Sequence, residues 1–310
     1  MCNNERDIYQ VIEDEINASA FSESEKETRL NKLHSLSEKK LNIMFVGATG
    51  SGKSSTINAL FDMERARVGT GVDPETDEID SYRLQNVTIY DTPGLGDGVE
   101  KDERTMRMIR EKMCEEDRDG NAVIDAVAVI IDSSQKDLGT VYDCINKVLI
   151  PTLGDEAERR IVIALNQADM AMKGRHWIDE INHPDDVLKE FLEKKAEAVR
   201  ERILESTGVN IHPVCYCAGY KEENGEQRKP YNLSKLLYTI TMSVPTEPKL
   251  TKELSFAHIL RSCLPLDQKR LRTSSSANPA DYPSVWISKM RQTGISALLE
   301  VPAAERPLKP

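Results

Sequence analysis

Between an apolar run, Ile43-Met44-Phe45-Val46, and a helix-compatible one, Ser55-Thr56-Ile57-Asn58-Ala59-Leu60-Phe61, lies the segment Gly47-Ala48-Thr49-Gly50-Ser51-Gly52-Lys53-Ser54. It matches G-x-x-x-x-G-K-[ST] at every position. The glycines let the backbone turn so tightly that successive N–H groups point into one concave anion nest. A helix beginning near Lys53 brings the positive end of its dipole to the same point. Lys53 then reaches the terminal phosphates of a nucleotide, and the Ser54 hydroxyl reaches a Mg2+ ion. A strand–loop–helix order of this kind restricts the chain to an α/β architecture that binds a nucleoside triphosphate.

The flanking pattern agrees. From Leu41 onward short apolar runs alternate with helical periods, as expected of a mostly parallel sheet covered by helices. The strand candidates are Leu41–Val46, Val87–Tyr90, Ala126–Ile131, Ile161–Leu165 and Ile211–Tyr216, with Ile79–Leu84 as a more polar edge strand. Together they predict a six-stranded sheet. Helices are expected near Ser54–Asp62, Arg104–Glu116, Thr140–Leu149, Val187–Glu205 and Leu233–Met242. Residues 1–40 read as a helical extension, with Ile8, Val11, Ile12 and Ile16 on one face and a capping box at Ser22–Glu25. The main domain is expected over 41–245. Residues 246–310 lose the acidic bias and read as a loosely structured tail or a small helical appendage.

A net charge of −11 disfavours general adhesion to nucleic acid or to anionic membranes. No run approaches the ~20 apolar residues of a membrane span. The N-terminus is polar and acidic where a signal peptide needs an apolar stretch. The six cysteines form no C-x-x-C pair, so reduced thiols and a cytoplasmic location are expected. The histidines show no metal-ligand spacing.

Two further motifs follow in order. Val87–Tyr90 leads into Asp91-Thr92-Pro93-Gly94, which places a carboxylate at a strand end to hold Mg2+ through water and a glycine N–H to meet a γ-phosphate. Gly96, Asp97 and Gly98 continue a segment able to reorder when that phosphate leaves. Strand Ile161–Leu165 ends in Asn166-Gln167-Ala168-Asp169. The Asp169 carboxylate can accept from guanine N1–H and its amine, a donor pair that adenine lacks. Asn166 braces the neighbouring loops.

With these residues in this order the chain resembles the translation-factor-like class of P-loop GTPases. It looks closest to the Era-like, 50S-ribosome-binding family, over about residues 41–245. The resemblance implies a G domain that binds GTP and GDP, hydrolyses GTP to GDP and phosphate, and acts as a nucleotide-dependent switch with Mg2+ as cofactor. It implies nucleotide contacts from Gly47, Ala48, Thr49, Gly50, Ser51, Gly52, Lys53, Ser54, Ser55, Asp91, Gly94, Asn166 and Asp169. Cys217-Ala218-Gly219 stands where the family has Ser-Ala-Lys, so Cys217 and Ala218 join the guanine site. In Pro74-Glu75-Thr76, Thr76 matches the family's mobile-loop threonine, with Thr70 as the alternative. Ser54, Thr76 and Asp91 are then the expected metal residues, and Lys53 and Thr76 the catalytic ones.

Three departures qualify the activity. Leu95 occupies the position where many GTPases carry a water-orienting glutamine. Gln167 replaces the family's usual lysine, and Gly50 stands where some relatives place a K+-binding asparagine. Slow turnover without a partner or dimerisation is expected. Arg65 and Arg67 are expected to be solvated loop residues. The loop also resembles those of septin-like and immunity-related GTPases, which pair across their nucleotide faces with little intrinsic turnover. A homodimer through the G domain and a ribosomal or other protein partner are therefore both open. Residues 170–186, with Arg175-His176-Trp177, form a long loop that is either a partner surface or a loop around one buried Trp.

Overall fold

The structure is a computed structural model and describes residues 8–64, 78–135, 138–219 and 229–246. Every described residue belongs to one compact unit. The expected tail beyond residue 246, Thr70, Thr76, Arg65 and Arg67 lie outside the described residues.

The elements run in chain order as α1 (Ile8–Ala18), α2 (Glu23–Ser37), β1 (Leu41–Gly47), α3 (Lys53–Glu64), β2 (Asp80–Leu84), β3 (Val87–Asp91), α4 (Val99–Met113) and β4 (Ala126–Asp132). They continue as α5 (Gly139–Cys144), α6 (Ile150–Leu153), α7 (Ala157–Arg160), β5 (Ile161–Asn166), β6 (Trp177–Ile178), β7 (His183–Pro184), α8 (Asp186–Thr207), β8 (Val214–Cys215) and α9 (Leu233–Ser243). Six strands form one sheet in the order β2-β3-β1-β4-β5-β8. Only the β2–β3 pair is antiparallel. Exposed Ser81 and Arg83 on β2 suit that edge, where a solvated side chain discourages further pairing.

Strand periodicity divides the core in two. Ile43 and Phe45 point to one face with Ile8, Ile12, Leu36, Ile57, Leu60 and Leu236, so α1, α2, α3 and α9 cover that side. Met44 and Val46 point to the other, where Ile109, Ile145 and Ile203 bring in α4, the α5 region and α8. The N-terminal helices thus belong to the same core as the sheet. At Ser22 the capping box is complete: the Ser22 N–H donates to Glu25 Oε2 at 2.9 Å and the Glu25 N–H donates to Ser22 Oγ at 3.4 Å. Asn86, in the β2–β3 turn, ties these helices down. It accepts from the Tyr9 hydroxyl at 2.6 Å and donates to the carbonyls of Leu36 and Ser37, each at 3.2 Å, and of Lys39.

Several boundaries differ from expectation for local reasons. Helix α4 starts at Val99 rather than near Arg104, because its first turn is polar and shows no apolar period; Glu100 and Asp102 sit there, as the helix dipole favours. The last strand shrinks from Ile211–Tyr216 to Val214–Cys215. Pro213 has no N–H to give to the ladder. The expected Thr140–Leu149 helix runs on from α5 through a π-helical turn, Ile145–Leu149, into α6. Pro151 cannot donate to the Lys147 carbonyl one turn back, and Arg110 of α4 donates there instead at 3.1 Å. Residues 170–186 fold as short 3-10 turns and the β6–β7 pair, with half-buried Trp177 edge-on to Tyr231 at 5.3 Å between ring centroids.

Candidate nucleotide-binding site

All the described site residues predicted from sequence meet at the C-terminal ends of β1, β3 and β5 and beside the short β8. This is the end of a parallel sheet where ligands bind. Gly47 closes β1 so tightly that a Cβ there would sit 2.2 Å from the Ile130 carbonyl oxygen. Gly52 has φ +89°, and a Cβ on it would meet the Asn166 amide nitrogen at 2.2 Å. Both positions therefore require glycine, whereas Gly50, at φ +76°, faces open space. Ser55 is exposed on the first turn of α3, and Ser51 is fully buried.

Lys53 is buried, and its ammonium donates to the carbonyls of Gly47 at 3.1 Å and Ala48 at 3.2 Å. Burial lowers its pKa, against the pull of Asp91 and Asp97. It lies folded across the loop it is expected to serve. Ser54 donates to Asp91 Oδ2 at 3.1 Å. The other Asp91 oxygen, Oδ1, is buried without a hydrogen-bond partner, and burial pushes this carboxyl upward despite Lys53 nearby. A strand-end carboxylate with a free oxygen next to a serine hydroxyl is the donor set a Mg2+ ion takes, directly and through water. Elsewhere among the described residues, no group of three or more His, Cys, Asp or Glu is arranged to hold a metal ion.

The segment after Asp91 closes onto the phosphate loop. Leu95 and Ala48 form a parallel bridge, with the Thr49 N–H donating to the Leu95 carbonyl at 2.8 Å and the Leu95 N–H donating to the Gly47 carbonyl at 3.1 Å. Gly94 lies so close to Thr49 that a Cβ would meet its Oγ1 at 2.1 Å. The Leu95 side chain is fully buried among Met44, Val46 and Ile109. Asp102 of α4 accepts from the Gly96 N–H at 2.7 Å and holds the next turn.

At the base-reading end, Asn166 donates to the Ser51 carbonyl and accepts from the Ala218 N–H, both at 3.0 Å. One side chain thus links the phosphate loop to the last loop of the site. Asp169 is buried and accepts from the Cys217 thiol at 3.0 Å. Burial first, and Asp169 second, push that thiol up to about 12. It is a neutral donor at physiological pH and holds the carboxylate in place. Gln167, in the left-handed conformation at φ 58°, donates to the Gly50 carbonyl at 3.0 Å.

Sequence reasoning missed three of these roles. Gln167 appeared only as a lost lysine, although an amide of similar reach makes a phosphate-loop contact. The Asp102 grip on Gly96 and the Tyr216 hydroxyl, 2.7 Å from Thr56 Oγ1, carry no motif. A polar residue within a strand end that should be wholly apolar was the one signal for Tyr216.

The family model described as 50S ribosome-binding GTPase matches residues 42–167, from β1 through the start of the Asn166 motif. No curated protein matches the chain. Among solved structures, Toc33 from Arabidopsis thaliana in complex with GDP and Mg2+ is 16% identical, with a TM-score of 0.47 over 77% of this chain and 97% of that one. LeoA, a bacterial dynamin GTPase from ETEC, is also 16% identical, with a TM-score of 0.42 over 82% of this chain and 45% of that one. A GTP-binding protein from Sulfolobus solfataricus in complex with GDP is 18% identical, with a TM-score of 0.40 over 78% and 67%. The fold is that of a P-loop GTPase, a mostly parallel sheet flanked by helices. No helix among the described residues is long and apolar enough to cross a membrane.

Proposed function

We propose that this P-loop GTPase binds GTP and GDP at the site built from β1, β3, β5 and the loop after β8, and hydrolyses GTP to GDP and phosphate as a nucleotide-dependent switch. The observation that carries the reading is the buried Asp169 carboxylate, held by Cys217 next to the loop that Asn166 ties to Ser51. A carboxylate fixed there rewards guanine's two donors and leaves adenine with an unpaired buried acceptor. Residues Gly47–Ser55 hold the phosphates, with Lys53 turning outward from the loop carbonyls as they arrive. Gly94 supplies an N–H to the γ-phosphate, and Ala218 one to the guanine oxygen.

Ser54 and Asp91 hold Mg2+, with Thr76 as the third residue. Bound there, the ion neutralises charge on the β- and γ-phosphates. Lys53 and Thr76 act in the chemical step. Within the wider class the motif order supports a position nearest the Era-like GTPases, with a G domain over 41–245, the helices of 1–40 as its brace and the cytoplasm as its place of action.

Leu95 favours one qualification. Its side chain is in the core and its backbone is bonded to the phosphate loop, so it cannot orient water. Hydrolysis is slow in the isolated protein and rises when a second G domain, a ribosomal partner or another protein completes the site. Pairing across the nucleotide face, as in septin-like GTPases, is the second reading. A GTP turnover assay across protein concentration tests both. Specific activity rising with concentration supports pairing, a flat low rate supports a separate partner, and no GTP turnover under any condition removes the hydrolase.

A further inference from the structure

Three consecutive carbonyls of the phosphate loop are held by side chains, the first two from the base-reading side of the site. Gly50 takes the Gln167 amide and Ser51 the Asn166 amide, each at 3.0 Å. The third, Gly52, accepts from the Thr56 N–H at 2.9 Å and also from the Thr56 hydroxyl at 2.7 Å, and a Thr bonding one turn back along its own helix is ordinary. The unusual part is what lies beyond it. The Tyr216 hydroxyl is 2.7 Å from Thr56 Oγ1, both side chains are fully buried, and Tyr216 directly precedes Cys217 and Ala218. A hydroxyl has one proton to give. Thr56 gives its proton to Gly52, so Tyr216 is the donor to Thr56, and the order is Tyr216 O–H to Thr56 O–H to Gly52 C=O.

We propose that Tyr216 is a positioning residue for the nucleotide phosphates, acting through Thr56 on the Gly52 peptide. Gly52 sits at positive φ with its Cα against the Asn166 amide, so its peptide has little room to find another orientation once the carbonyl is held. A carbonyl fixed on the Thr56 side keeps the adjoining N–H groups turned into the nest before the anion arrives, and that preorganisation is where affinity is gained. The Tyr216 carbonyl also accepts from the Ala168 N–H at 3.2 Å. The same residue thereby touches the Asn166–Asp169 loop through its backbone and the phosphate loop through its phenol. This inference rests on the proposed guanine-nucleotide function and adds a residue that none of the recognised motifs contains.

The test is release of a fluorescent GDP analogue in the presence of Mg2+, with equilibrium competition by GDP and by inosine diphosphate, in the full chain. Tyr216→Phe removes one oxygen and keeps the packing. It should speed release about three- to tenfold, the scale of one buried hydrogen bond, while the GDP-to-IDP affinity ratio, set by Asp169, stays put. Thr56→Val should speed release at least as much, Thr56→Ser should behave as the native protein, and the double variant Tyr216→Phe/Thr56→Val should be no worse than Thr56→Val alone. Native release in Tyr216→Phe, additive effects in the double variant, or a fall in the GDP-to-IDP ratio would each overturn the proposal, the last because a general loosening spreads to the base. If Tyr216→Phe does not fold, equal release from Thr56→Ser and Thr56→Val overturns it instead. Failure of the native protein to bind GDP at all defeats the functional reading itself, whereas binding with any of the contrary outcomes above defeats only the role of Tyr216.

Discussion

The Ser54 hydroxyl donates to one oxygen of Asp91 across 3.1 Å, while the other oxygen of that carboxylate is buried and unpaired. Without a cation the arrangement costs stability, since burial raises the carboxyl pKa and penalises the ionised form. Asp91→Asn keeps an acceptor for Ser54 and removes the charge. It should raise the melting temperature of the metal-free protein by about 2–4 °C, the shift that ~1 kcal/mol gives a domain of this size. It should also abolish the slowing of GDP release by Mg2+. Calorimetry and release kinetics with and without Mg2+ check both halves; a lower melting temperature together with intact Mg2+ dependence contradicts the assignment.

Leu95 invites the repair that a motif comparison suggests, and the structure argues against it. Leu95→Gln would put an amide into the cluster of Met44, Val46 and Ile109. The expected result is a loss of ~2–4 kcal/mol in unfolding free energy and no gain in GTP turnover. Urea unfolding and a turnover assay on the same sample check it. A gain in turnover would mean that the Leu95 segment leaves the core when GTP binds.

Much of this was legible in the residues themselves. The phosphate loop announces itself because Gly47 is required by its contact with the Ile130 carbonyl and Gly52 by its positive φ. Strands β1, β4 and β5 were visible because strands buried on both faces are nearly continuous apolar runs. Other features were not visible. The start of α4 is a polar turn without a period, the shortening of β8 depends on one proline, and the π-helical turn depends on another whose missing donor is replaced by Arg110 from a different helix. The Cys217 grip on Asp169 and the Gln167 bond to Gly50 join residues whose neighbourhood exists only after the sheet has formed.

Burial leaves a signature at alkaline pH. Cys144 and Cys217 are pushed up to about 12 and Cys215 to about 11, against an ordinary thiol value of 9.0. Each folded pKa is raised, so the stability contribution is whole below about pH 9 and is lost as pH rises towards 11 or 12, where the unfolded chain ionises first. Between about pH 9 and about pH 10.5 each thiol should cost ~1–2 kcal/mol of unfolding free energy. Denaturant unfolding at the two pH values checks the slope. Cys144→Ala should flatten it by one thiol's share, and an unchanged slope contradicts the burial of Cys144.

Asn86 makes four side-chain hydrogen bonds that hold α1 and the end of α2 to the β2–β3 turn. Asn86→Ala removes the acceptor that Asn86 gives the Tyr9 hydroxyl and the side-chain donor to the carbonyls of Leu36, Ser37 and Lys39. We expect a loss of ~1–3 kcal/mol, with faster amide exchange concentrated in α1 and α2. Exchange that quickens evenly across the sheet would show that the helices do not depend on this turn.

The central claim is that a P-loop site is made selective for guanine by Asp169. It is tested most directly by equilibrium competition for the Mg2+-bound site among GDP, GTP, ATP and xanthosine triphosphate, in the native protein and in Asp169→Asn. The account predicts that GDP and GTP compete and ATP does not. In the variant, GTP should weaken by ~100-fold or more while xanthosine triphosphate gains. ATP competing as well as GTP, or Asp169→Asn leaving the order of the nucleotides unchanged, would contradict it.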